Sequence, residues 1–182
     1  LILSFQSLSK ANDIREFEIE GMSIGDSLLD YYSKVEISNF GSAFYSNSKK
    51  YKMLAVTDNK FEDYDYVQVE FLTDDKEYTI QSISGNINSD LKSCLETKND
   101  LVNTVKNLIP DARIKDYKKT RHSSEYPKSF VYKTNFNLNN GDRIRIYCLD
   151  WSEKATKQDT YSDHLSLELS TNEFLVWLTE VV

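Results

Sequence analysis

Three groups of residues have the types and spacing to do chemistry. The first is Gly25-Asp26-Ser27-Leu28, with Asp163-His164 far downstream. A serine hydroxyl is a weak nucleophile at neutral pH. A histidine within hydrogen-bond reach activates it by taking its proton, and a carboxylate can orient that histidine. Ser27, His164 and Asp163 supply the three types. The second group is Arg113, Lys115, Lys118, Lys119, Arg121 and His122, a basic run interrupted by Asp116. On a chain of formal net charge −7 it is the natural seat for an anionic ligand or an acidic protein surface. The third is the cysteine pair Cys94 and Cys148. In an oxidising compartment an even pair reads as a disulfide, which removes both thiols as nucleophiles and metal ligands.

The letters of residues 25–28 resemble the nucleophile block of the GDSL family of esterases and lipases, many of them exported. That resemblance implies Ser27 as nucleophile and a histidine near the C-terminus, in an Asp-x-x-His phrase, as its base. The departures are large. Only Met22-Ser23-Ile24 stands between Gly21 and the block, too little for a strand to lead in. The Gly-x-Asn-Asp block is missing, and Asp163 is adjacent to His164 rather than three residues before it. A helix capped by Ser23, with Asp26 three residues on, accounts for the same letters. A serine esterase using Ser27 and His164 is therefore the alternative, and binding without catalysis the preferred reading.

Metal chemistry has little to build on. Two histidines distant in sequence, with the cysteines oxidised, make a poor zinc set. Asp58, Glu62, Asp63 and Asp65 form an acidic loop without the glycine that a calcium loop turns on, and read as a solvated turn. No cofactor is expected. The acidic balance disfavours nucleic acid and anionic lipid as partners. An envelope protein or an anionic ligand remains.

The opening residues place the chain. Residues 1–11 run from apolar to small and polar and end Ser9-Lys10-Ala11, with small side chains where a signal peptidase needs them. Residues 1–11 are expected to be the remnant of a signal peptide, and 12–182 a single mature domain, periplasmic or secreted. No later apolar run approaches the ~20 residues of a spanning helix.

The elements that must position these groups follow from periodicity. With 40% hydrophobic residues, 13% aromatic residues, 5 glycines and 2 prolines, the chain can bury a core. Phe17 and Ile19 alternate with glutamates as a strand. Ile24, Leu28, Leu29 and Tyr32 suit one face of a helix, and residues 38–50 look irregular. Strands are expected at 51–56, 67–71 and 78–83. A long helix runs from about 90 to 109, where Pro110 stops it. Residues 113–128 read as a polar connection. Residues 130–138 and 143–149 form a hairpin across Asn139-Asn140-Gly141-Asp142. Leu165, Leu167 and Leu169 alternate in a last strand, and Thr171 caps a last helix. The expected class is α+β, with antiparallel meanders and helices on one face. The order is β-α-β-β-β-α-β-β-β-α, in which an α-β-β-β half occurs twice.

This order, with Gly21-Met22-Ser23 as the one residue-level echo, resembles the small envelope modules of the BamE and β-lactamase-inhibitor-protein type. The resemblance implies a binding or scaffolding role and carries no site residues over.

Overall fold

Apolar and polar residues alternate along most of the strands, and that alternation sets the architecture. The computed structural model describes residues 4–5, 13–122, 126–158 and 161–181. β1 (Ser4–Phe5) and β2 (Phe17–Glu18) make a small antiparallel pair. After α1 (Lys34–Asn39) come β3 (Gly41–Tyr45), β4 (Ser48–Val56), β5 (Tyr66–Leu72) and β6 (Ser82–Asn88). After α2 (Leu91–Leu108) come β7 (Arg113–Arg121), β8 (Phe130–Asn137) and β9 (Arg143–Asp150), then α3 (Glu153–Gln158), β10 (His164–Ser170) and α4 (Asn172–Val181). β3 to β10 form one antiparallel sheet in the order β3-β4-β5-β6-β10-β9-β8-β7. Two meanders therefore run inward from opposite edges, each preceded by a helix, and their last strands, β6 and β10, pair at the centre.

The class is α+β, as expected, but each half has four strands rather than three. The additional strands are the two edges, β3 and β7. An edge strand needs no apolar stripe on both sides, so Arg113–Arg121 conceals its alternation behind charge. It is a strand where the sequence suggests a connection. The third expected strand is also displaced. Residues 78–80 turn away at Tyr78 (φ 52) and pair with residues 25–27, so β6 starts only at Ser82. The long helix, the Asn139–Asp142 hairpin, β10 and the Thr171 cap follow the sequence reading.

The helix expected from Ser23 does not form. Asp26 does accept the Ser23 N–H at 2.8 Å, the local half of a cap. Gly25, however, sits at φ +92, and Ser27 is extended. The chain instead makes a turn and a short 3-10 segment, Leu28–Asp30. The capped helix comes ten residues later, where Ser33 and Glu36 form a reciprocal box at the start of α1.

One sheet face carries Leu54, Val67, Val69, Ile83, Leu165, Leu167, Ile144 and Ile146, all fully buried or nearly so. α2 covers it with Leu101 and Val105, and the Cys94–Cys148 disulfide ties the helix to β9, with Cα atoms 5.9 Å apart. A buried Lys98 adds a polar tie, donating to Thr134 Oγ1 at 2.8 Å and lying 3.7 Å from Asp116. α4 departs from the expectation of helices on one face. Its Phe174 and Trp177 pack against Tyr45 and Tyr51, which point to the opposite side of the sheet. Among the described residues no helix is long and apolar enough to cross a membrane. Of the segment read as a leader remnant, Ser4 and Phe5 pair with Glu18 and Phe17, and the rest lies outside the described residues.

Candidate functional site

The second face of the sheet is polar from β5 to β7. Pairing places Gln68, Ser84, Glu168, Arg145, Asn135 and Lys115 in one row across six strands. A neighbouring row holds Glu70, Ser82, Ser170, Arg143, Asn137 and Arg113. At the centre Glu168 receives Arg143 at 3.3 Å, Arg145 at 3.4 Å and the Ser170 hydroxyl at 3.0 Å. Burial opposes ionisation of Glu168, but Arg145 and Arg143 outweigh it and hold the carboxyl below its usual range. Glu70 goes the other way. Its burial, and secondarily the charge of Glu168, push it up to about 7, while Gln68 Nε2 donates to its Oε1 at 2.7 Å.

This face holds more hydrogen-bonding capacity than it uses internally. Asn135 Oδ1 and the Nε atoms of Arg143 and Arg145 are buried and have no hydrogen-bond partner among the described residues. Buried polar atoms left alone cost free energy, so these atoms weigh against the stability of this face.

Cations dominate its β7–β9 side. Arg113, Lys115, Lys133, Arg143 and Arg145 share the face, around Glu168. Burial lowers the Lys133 ammonium, and the like charges of Arg145 and Arg143 lower it further. A recess of about 280 Å³ opens there, with Lys133, Arg145, Arg121, His122 and Tyr147 on its walls. Coulomb repulsion among cations held in a partly dry recess is relieved by an anion.

Strand formation splits the basic run read from sequence. Arg113 and Lys115 pair opposite Asn137 and Asn135 on the polar face, and Arg121 and His122 reach the recess. Lys118 and Lys119 fall in the β7 bulge, where Lys119 lies over the Phe130 ring at 3.9 Å. Lys133, Arg143 and Arg145 were not singled out from sequence. Their signal is parity: every second residue of 133–137 and 143–147 is polar or aromatic and shares one face.

Ser27 and His164 make their hydrogen bonds elsewhere. Ser27 Oγ donates to the Glu77 carbonyl at 2.6 Å and accepts from Leu29 N at 3.2 Å. His164 Nδ1 meets the Ser162 carbonyl at 2.9 Å, and Asp163 accepts the Trp151 N–H at 2.7 Å. His164 instead sits near His122. Burial lowers His122, and the nearness of His164 disfavours protonating both rings; the His122 ring lies edge-on to Trp151 at 4.7 Å. Among the described residues no group of three His, Cys, Asp or Glu side chains could hold a metal ion, and Glu20 uses its carboxylate on the backbone N–H groups of Glu62, Asp63 and Tyr64.

Comparison with known proteins finds no matching family, no matching curated protein and no matching solved structure.

Proposed function

We propose that this chain is an exported binding module, acting in the envelope or outside the cell, and that its polar sheet face takes an anionic group on the β7–β9 side. One observation carries the reading: five cations share one face of a chain whose net charge is −7, and two of them, Lys133 and Arg145, line a recess together with Arg121. Arg121, Lys133 and Arg145 on the recess walls supply cationic donors of the kind that hold carboxylate, sulfate or phosphate. The Cys94–Cys148 disulfide supports export, since such bonds persist in oxidising compartments. The kinship with BamE and β-lactamase-inhibitor-protein modules belongs to the same proposal, supported by the two helix-plus-meander halves.

Sulfate titration tests the site. Trp177→Phe leaves Trp151, beside the recess, as the only tryptophan. The expected result is a saturable change in its emission that weakens as sodium chloride rises and shrinks in Arg121→Ala and Lys133→Gln. Lys92→Ala, on α2, serves as the unaffected control. A response to neither sulfate nor phosphate, or one indifferent to both recess substitutions, would overturn the reading.

A further inference from the structure

Beside the basic recess lies another of about 320 Å³, and Tyr147 and Leu149 line both. Its chemistry is different. Tyr66, Trp151 and Tyr161 supply rings; Gln68, Asn86, Ser162 and His164 supply polar atoms. None of these is charged at neutral pH, because burial lowers His164 below its usual value.

The amide, imidazole and serine side chains share a bias, beside the O–H and N–H donors of the aromatic walls. Gln68 Nε2 donates to Glu70 Oε1 at 2.7 Å, and Asn86 Nδ2 to the Ser84 carbonyl at 3.2 Å. His164 Nδ1 meets the Ser162 carbonyl at 2.9 Å, and Ser162 Oγ donates to Asn88 Oδ1 at 2.6 Å. In the second and third bonds the partner is a carbonyl oxygen, which fixes the donor atom; the Glu70 carboxylate does the same for Gln68 when ionised. Gln68 Oε1, Asn86 Oδ1, His164 Nε2 and the lone pairs of Ser162 Oγ remain for a ligand. These are acceptors, and they call for O–H donors. Aromatic walls meanwhile suit the C–H faces of a ring.

We infer that the two joined recesses take an acidic saccharide. A sugar ring lies among Tyr66, Tyr147 and Trp151 and donates its hydroxyls to the four acceptors. Its carboxylate or sulfate reaches Lys133 and Arg145 across Tyr147. This rests on the anion-binding reading above and names the ligand class for the same site.

The test is a titration panel on the whole chain: tetrasaccharides of galacturonan, hyaluronan and heparin, neutral galactotetraose, sodium sulfate, AMP and a phosphotyrosine peptide. At least one acidic tetrasaccharide is expected to bind about tenfold tighter than both sulfate and the neutral sugar, and tighter than AMP or the peptide. Gln68→Leu and the exposed-loop Tyr161→Ala should each weaken that saccharide about fivefold while leaving sulfate affinity unchanged. If sulfate binds and no acidic saccharide exceeds it, the saccharide inference falls and the anion site stands. The same holds if AMP or the phosphopeptide binds best. If acidic and neutral sugars bind alike and sulfate does not bind, both fall.

Discussion

Tyr45 and Tyr51, on the second face of the β3–β6 half, lie under Phe174 and Trp177 of α4. The corresponding face of the β7–β10 half opens into recesses lined by Lys133, Arg145 and Tyr147. The halves share a topology, yet the second face is closed by an aromatic cluster over the β3–β4 edge and is polar from β5 across to β7. The disulfide lies on the open side, joining α2 to β9. A half with one packed face has less apolar burial to hold it, and a covalent tie offsets that deficit. On the proposed reading, stability and binding are separated along one sheet: the aromatic end packs, and the basic end is the one offered to a partner.

Four measurements probe this division. The largest effect is expected for Cys94→Ala with Cys148→Ala. Opening a loop of 54 residues removes about 4 kcal/mol on the chain-entropy account, read from denaturant midpoints. Amide exchange in that variant should rise first in α2, β9 and β10. A uniform rise across β3 to β10 would mean that the halves do not differ as argued. Next is Trp177→Ala, which empties the second cluster and costs about 3 kcal/mol. Sulfate affinity should be unaffected by it, because Trp177 is remote from the basic recess in the sheet order. A parallel loss of sulfate binding would join the two regions.

The third effect is a pH dependence. Glu70 titrates at about 7 in the folded protein against an ordinary value of 4.5. A raised carboxyl stabilises the fold fully below the ordinary value, and the contribution is lost as pH rises through 7. Between pH 5 and pH 8 it amounts to about 2 kcal/mol. Glu70→Gln should flatten the stability profile over that window; an unchanged profile would show that Glu70 ionises freely in the fold. The smallest stability change belongs to Lys133→Gln, within about 0.5 kcal/mol, since its ammonium is crowded by Arg145 and Arg143 rather than paired. Its sulfate affinity should nonetheless fall several-fold.

Legibility in the sequence followed the strength of the local signal. The long amphipathic helix with its Asp90 cap, the Asn-Gly hairpin and the Leu165–Leu169 alternation are governed by nearest-neighbour chemistry, and each appears in the structure. The helix at Ser23 failed because long-range pairing of residues 25–27 with 78–80 competes with a local cap, and Gly25 adopts a conformation no helix accepts. β7 was hidden because charge, not apolar content, fills an edge strand. Of the candidate site, Arg121, His122 and His164 were visible as residue types. Lys133, Arg145, Tyr147, Gln68 and Asn86 were not, since none belongs to a motif.

By itself the sequence determined the α+β class, the cysteine pair, the acidic balance and the main helices, because these depend on composition and on periodicities within a dozen residues. Tertiary structure decided that β6 and β10 meet and so fuse two meanders into one sheet. It also decided that α4 crosses to the far face, and that cations from β7, β8 and β9 stand side by side. Those are matters of register between strands distant in the chain, and register is set only when the buried face of each strand finds its partner.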